Sequence, residues 1–346
     1  MTTSKQPIAP YLWMTCGCFF LAWMGQFAHL LKDTCDWRVV ALVRAGLAFV
    51  FAFGLAKLSG AQLVFLKPIA LWVRGCASSI SLLCTFFAFT ALPTAEVLTL
   101  TNSFPIWVAF LSWPLLHVRP SAGSCLAAGV GVVGVALIQS PHIAFSGGAS
   151  YAVLLAVAAA LTNAVAMLGL HRLKGVHPWA IVTHYSGLAT VFVLGTCFIG
   201  ESPLYSTILS PTVVLLLLGV GISATLGQAC VTKAFTCGQP TRVSVVALLQ
   251  VVFALALDVW IGDVALEPIA LVGIALVLAP TSIVVLATLN MRTPAHTASM
   301  NAQDSARHDA MAPPASQTVK ICVPWRAWCF AGENQTASRN AGDATR

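Results

Sequence analysis

Ten stretches of mostly apolar residues follow one another almost without pause, at 10–31, 38–57, 69–91, 94–117, 122–140, 149–170, 177–199, 210–233, 241–261 and 266–288. About twenty such residues, wound as a helix, span the hydrocarbon core of a bilayer. In lipid every backbone N–H and C=O must be bonded within the chain, so each run is expected to be an α-helix. The connections are short and hold the charges and turn formers, as in Lys32 to Trp37, Ser59 to Pro68, Ser140 to Gly148 and Glu201 to Ser210. The first run is too long for the core of a signal peptide and leads directly into further spans, so it is expected to be retained. The fold class expected is an all-α polytopic membrane protein with ten transmembrane helices.

Composition agrees. Only 8% of the 346 residues are charged and 58% are hydrophobic, against about a quarter charged in a soluble domain. Such a chain cannot cover a water-facing globule, and it is too apolar to be disordered throughout. The net charge of +7 resides in loops and the C-terminal segment, which points to membrane topology and to no nucleic-acid partner. With the N-terminus placed in the cytoplasm, the inner side receives Lys5, Lys57, Lys67, Arg119, Arg172, Lys174, Lys233 and Arg242. The outer side receives Lys32 and Arg38, beside Asp33 and Asp36. The positive-inside rule then puts both termini in the cytoplasm. Trp13, Trp37, Trp72, Trp113, Trp179 and Trp260 fall near helix ends, where interfacial anchors belong. The eleven cysteines include no CxxC pair and lie mostly in apolar runs, so neither a metal site nor a disulfide framework is expected.

The chain reads as two related halves, 10–140 and 149–288. Ala88-Phe89-Thr90 recurs as Ala234-Phe235-Thr236, and Val132-Val133-Gly134-Val135-Ala136-Leu137 recurs loosely as Leu271-Val272-Gly273-Ile274-Ala275-Leu276. Five helices per half is an odd number, so the second copy must sit upside down. Inverted repeats of this kind are a transporter signature. Residues 289–346, rich in Ala, Ser, Thr and Pro with mixed charge, are expected to form a disordered cytoplasmic tail. Within it Ile321 to Phe330 is locally apolar, and Asn334-Gln335-Thr336 matches a glycosylation sequon that an inner location discounts.

Several residues carry chemistry. Glu96, Thr99, Ser103 and Trp107 are spaced to share one face of a fourth helix, with Asn102 beside them and Pro105 bending it. A polar stripe on a bent helix suits a substrate pathway, although Thr and Ser alone equally serve as glue between helices. Glu96 favours the pathway, since ionisable groups in membranes are costly and mark function. Thr225, Gln228 and Thr232 form a similar stripe in the eighth helix, and Ser78, Ser81 and Thr85 one in the third. Gln250 and Asp258 lie in the ninth. In the first helix Trp23 and Gln26 share a face, with His29 a turn further. Of His184 and Tyr185, adjacent in the seventh helix, at most one can line a cavity, and Tyr185 is preferred. Arg44, two turns into the second helix, either snorkels or pairs with an anionic cargo. Arg74, nearer the inner interface, is expected to snorkel.

Gly129-Val130-Gly131-Val132-Val133-Gly134 matches the dinucleotide fingerprint, but it lies within an apolar span instead of a strand-to-helix turn. No P-loop, HExxH or nucleophile elbow occurs. No cofactor and no direct ATP drive are expected. The dispersed His residues offer no converging catalytic cluster, so the chain is not expected to be an enzyme.

The segments Ala91-Leu92-Pro93-Thr94-Ala95-Glu96, Phe104-Pro105-Ile106-Trp107-Val108-Ala109 and Arg119-Pro120-Ser121 resemble the EamA-type family of the drug/metabolite transporter superfamily. Gly227-Gln228, Lys233-Ala234-Phe235, Val251-Val252-Phe253-Ala254, Arg44 and Arg74 agree with it. The sequence departs from the family's pattern at Leu116-His117-Val118, where Gly-Glu commonly precedes Arg-Pro, and at Gln250-Val251, where a Pro is common. The resemblance implies two five-helix repeats and transport of a small polar metabolite across a cell inner (plasma) membrane. The expected function is a secondary transporter of an amino-acid-like metabolite, an exporter, working by alternating access with the bilayer and a small-molecule substrate as partners. Protons, exchange or downhill flow would supply the energy. Two alternatives stand beside it: an exchanger of a larger anionic metabolite such as a nucleotide sugar, and a non-transporting membrane scaffold that uses the tail.

Overall fold

The computed structural model describes residues 8–32, 34–64, 68–89, 92, 94–139, 150–197, 210–261 and 267–290. Regular structure there is entirely helical. In chain order the helices are α1 (Ala9–Leu30), α2 (Trp37–Leu58), α3 (Ile69–Phe89), α4 (Thr94–Thr101), α5 (Phe104–Leu116) and α6 (Ala122–Gln139). They continue with α7 (Ser150–His171), α8 (Pro178–Cys197), α9 (Pro211–Cys237), α10 (Pro240–Ala247), α11 (Leu249–Ile261) and α12 (Pro268–Asn290). All ten expected runs are helical, and seven spans are long and apolar enough to cross a membrane: α2, α6, α7, α8, α9, the α10–α11 pair and α12.

Two expected helices are broken. The run 94–117 divides into α4 and α5 at Asn102–Ser103, so the stripe from Glu96 to Trp107 does not lie on one continuous face. Pro105 sits in the first turn of α5, where a missing N–H costs least. Side chains add to the backbone bonds at the break: Leu98 O accepts from Asn102 N at 2.9 Å and from Asn102 Nδ2 at 2.8 Å, and Leu100 O accepts from Ser103 N at 3.1 Å and from Ser103 Oγ at 2.6 Å. The run 241–261 divides at Leu248 with no proline at the break. There the backbone tightens to three-residue spacing, Leu248 N to Val245 O at 3.2 Å and Val251 N to Leu248 O at 3.1 Å. The Cys18 thiol of α1 donates to Ala247 O at 3.4 Å and Val246 O at 3.6 Å, which covers acceptors at the end of α10. The two interruptions match: α4 and α10 have 8 residues each, and α5 and α11 have 13 each.

Other ends shift slightly. α12 continues to Asn290, past the expected start of the tail at 289. The remaining tail features, Ile321 to Phe330 and the sequon at Asn334, lie outside the described residues, as do Asp33, Lys67, Glu201 and Asp263.

Residues Pro10–Val284 form one compact unit. A second unit, Met1–Ala9 with Val285–Arg346, is described only over Ile8–Ala9 and the helical Val285–Asn290. Within the first unit α3 packs most extensively on α7, and α2 on α8 and α9. The α7 face against them is built from buried alanines, among them Ala156, Ala160 and Ala164. Lacking a hydrophobic effect between helices in lipid, close packing of small residues is what holds such contacts. α6 and α12 meet through glycines. A Cβ added at Gly134 would sit 2.8 Å from Gly273 O, and one at Gly273 would sit 2.6 Å from Gly134 O. Large apolar side chains such as Leu12, Phe110, Leu154, Leu215 and Ile283 point outward, which suits a lipid-facing surface.

Candidate functional site

Arg44 of α2, Tyr185 of α8 and Gln228 of α9 come together around a narrow cleft, closed on its other sides by small residues such as Ala48, Ala189 and Ala224. Its volume is about 10 Å³, about the room one water needs. The lining residues lie well inside their helices. Arg44 is seven residues from the start of α2 and Gln228 nine from the end of α9, roughly 10 and 14 Å along the axis.

Behind the cleft lies a residue that was expected at the interface. Arg74 does not snorkel; it is 1% exposed. Its Nη1 donates to Ser78 Oγ, and its Nη2 donates to Gln228 Oε1 at 3.2 Å. The guanidinium carbon lies 4.4 Å from the centroid of the Tyr185 ring, within cation–π range. The cause is packing. α3 is covered by α7 and α8, and Gly169 of α7 stands against the Arg74 backbone, where an added Cβ would already lie 3.5 Å from Arg74 Cβ. The side chain has no route outward. A signal for this exists in the sequence: Arg74 is four residues before Ser78, so it extends the Ser78–Ser81–Thr85 stripe by one turn.

The other stripe residues divide. Ser81 Oγ donates to Ala159 O at 2.8 Å and so joins α3 to α7. Thr85 and Thr225 bond the carbonyls of Ser81 and Gly221 in their own helices. Ser78 and Gln228 are thus the stripe members that meet Arg74.

The α4–α5 residues do not line this cleft. Asn102 and Ser103 are committed to the helix break. Glu96 and Thr99, one turn apart in α4, are half-buried, and among the described residues Glu96 Oε1 and Thr99 Oγ1 have no hydrogen-bond partner. Trp107 is half-buried on α5, and Gln250 is half-buried beside the α10–α11 break.

In α1, Gln26 is 5% exposed and its Nε2 donates to the Asp258 carboxylate of α11. Trp23 belongs to an aromatic cluster with Phe27, 5.5 Å between centroids, and Trp260, 6.1 Å. It borders an apolar groove of about 360 Å³ between α1 and α9, apart from the Arg44–Gln228 cleft. His29 is exposed beside Lys32. His184 turns toward α3, its ring 5.0 Å from Trp72, while its neighbour Tyr185 faces the cleft.

Near the C-terminal end of α9, Lys233 is 8% exposed and its Nζ lies 4.0 Å from the centroid of the Trp13 ring. In the loop before α8, burial and the charge of Lys233 push the His177 imidazole below its ordinary pKa. Among the described residues no group of three or more His, Cys, Asp or Glu side chains could hold a metal.

The chain is 25% identical over 218 residues to the pseudopaline exporter CntI of Pseudomonas aeruginosa strain UCBPP-PA14, covering 62% of this chain and 74% of that protein. It is 23% identical over 220 residues to an uncharacterised transporter of Helicobacter pylori strain J99, covering 62% and 73%. A crystal structure of a protein at 16% identity superposes with a TM-score of 0.70 over 82% of this chain and 99% of that one, a likeness of fold alone. Residues 148–286 match the EamA-like transporter family. The chain is therefore a multi-pass membrane protein that is similar to known transporters, and its second half matches the EamA-like transporter family.

Proposed function

We propose that this transporter exports a small polar, amino-acid-like metabolite by alternating access, with the Arg44–Tyr185–Gln228 cleft as its midplane binding site. The observation that carries the reading is that cleft: polar residues from α2, α8 and α9 converge well inside spanning helices, around a space too small for cargo. A carrier caught between its two open states has this form. That a relative of this chain is named an exporter of pseudopaline supports outward movement of a metabolite.

In this reading residues 10–140 and 149–288 are two inverted repeats. Support comes from the matched interruptions, 8 residues followed by 13 in each half. It comes also from Gly134 and Gly273, which occupy equivalent places in the two copies and touch each other. Residues related by a two-fold operation meet only at its axis. The proposed topology has both termini in the cytoplasm at the inner membrane. With ten crossings, the described acids Asp36, Glu96, Asp258 and Glu267 all fall on the outer side, while Lys57, Arg119, Arg172 and Lys174 fall on the inner. Glu96, with an unbonded carboxylate oxygen beside Thr99, is the residue assigned to proton coupling.

The test is untargeted metabolite profiling of medium and cell extract from cells expressing the wild type or the Gln228→Ala variant. A compound moved to the medium by the wild type and retained in the variant is the expected result. Export unchanged in Gln228→Ala would remove the cleft from the pathway. No export by membrane-inserted wild type would remove the carrier reading.

A further inference from the structure

We propose that the cargo carries an anionic oxygen group, a carboxylate or phosphate, and that Arg74 and Arg44 are held in the membrane to receive it. This rests on the reading of the cleft as the transport site and adds the charge class of what enters it.

Arg74 is the most deeply buried cation described, and its charge has no counter-charge among the described residues. Four acidic residues are described, and each is engaged or placed elsewhere. Asp36 caps α2 by accepting from Arg38 N at 2.7 Å. Asp258 accepts from Gln26. Glu96 lies in the first turn of α4 and Glu267 is exposed ahead of α12. Arg74 instead finds two neutral acceptors, Ser78 Oγ and Gln228 Oε1, and the face of Tyr185. Its buried Nε has no hydrogen-bond partner among the described residues. A guanidinium offers five N–H donors, so the protein leaves both donors and charge unspent.

A buried charge left in this state is costly, and structures keep one only where something repays it. The partners of Arg74 indicate where the repayment arrives. Gln228 and Tyr185 both line the cleft, and Arg44 lines it from α2 with no hydrogen bond or ion pair among the described residues. An oxyanion entering the cleft would meet Arg44 directly. It would also meet the amide and phenol that stand between it and Arg74, and a rotation of Gln228 would open Nη2 to it. The Arg44 guanidinium lines the cleft and that of Arg74 lies behind Gln228 and Tyr185, so closing on an anion would draw α2, α3, α8 and α9 together. A neutral or cationic cargo would gain none of this and would add to the charge already unpaired.

The experiment expresses the full chain as wild type, Arg74→Gln, Arg74→Lys and Arg44→Gln, identifies exported compounds by untargeted mass spectrometry, and measures melting of the purified proteins in nanodiscs. The compound exported by the wild type is expected to bear a carboxylate or a phosphate, and its identity says which. Export per molecule should fall about tenfold or more in Arg74→Gln and in Arg44→Gln, and Arg74→Lys should recover part of it. Arg74→Gln should melt at or above the wild-type temperature, because an uncompensated buried charge has been removed. Export of a compound with no acidic group overturns the inference and leaves the carrier standing. So does undiminished export by the Arg variants. A sharply lower melting temperature for Arg74→Gln with export per molecule intact assigns Arg74 a purely structural role. Should Arg74→Gln fail to fold, Arg44→Gln decides, since Arg44 is only half-buried and makes no hydrogen bond among the described residues. If the wild type exports nothing, the carrier reading falls and takes this inference with it.

Discussion

The close backbone approach of α6 and α12 can be tested by adding one carbon. At Gly273 of α12 a new Cβ would lie 2.6 Å from Gly134 O, 2.8 Å from Ile138 Cγ1 and 2.8 Å from Ile138 N. Two of these are backbone atoms of α6, so no side chain can turn aside. Restoring ordinary contact requires the helices to separate by about 0.6–0.8 Å, which strips dispersion contact from the neighbouring pairs. Overpacking of this kind costs about 1–3 kcal/mol. Gly129 supplies the control: it lies in the same α6, where an added Cβ meets nothing within 4 Å, so Gly129→Ala should leave stability unchanged or raise it slightly. The assay is reversible unfolding of the purified protein in mixed micelles, with Gly273→Ala, Gly134→Ala, the double variant and Gly129→Ala side by side. Each tight-site variant should lose about 1–3 kcal/mol. The double variant should lose less than the sum, because separating the helices for one methyl makes room for the second. Full additivity, or no loss in Gly273→Ala, would mean that α6 and α12 do not meet through these two residues.

Three further outcomes are expected. Glu96→Gln should keep the protein folded but remove the pH dependence of export; retained transport with retained pH dependence excludes Glu96 as the coupling group. Gln26→Leu removes a donor to the Asp258 carboxylate and should destabilise by about 1–3 kcal/mol, read as a lower midpoint in the same micelle assay, whereas an unchanged midpoint would deny the α1–α11 tie. His177 has a folded pKa held below the ordinary value by burial and Lys233. Its contribution is therefore complete above the unfolded pKa of about 6.5 and is lost as pH falls through the folded value. His177→Gln should flatten the decline in stability below about pH 6.5, and an identical slope in the variant would refute that assignment.

The helices were legible because lipid leaves the backbone one solution, and apolar length reports it directly. The break at Asn102–Ser103 was half legible: Pro105 announces a bend, but the side chains that turn a bend into an interruption declare themselves only when their acceptors are seen. The break at Leu248 has no local signal. The side chain that meets it is Cys18, 229 residues away from Ala247 in sequence, and such a partner is invisible to any window read along the chain. The polar stripes were legible as spacing but not as purpose, since a hydroxyl facing its own helix and one facing a cleft have the same spacing. Thr225 and Gln228 share a stripe; one bonds Gly221 O and the other Arg74. Arg74 itself was misread because its position near a helix start suggests an interface, and only the packing of α7 and α8 over α3 closes the way out.

The interleaving of helices has a consequence for how the protein is made. α3 finds its main partner in α7, and α2 in α8 and α9, so the early helices have little to dock on when they leave the ribosome. Arg74 is the acute case. Its acceptor Gln228 follows 154 residues later, which at 5–20 residues per second is a wait of roughly 8–30 s. For that interval a cation destined for the interior has to be sheltered by the insertion machinery or by water drawn to the young helix. Nascent chains truncated before α9 should therefore remain within reach of the translocon, and insertion of this protein would be paced by its second half, not its first.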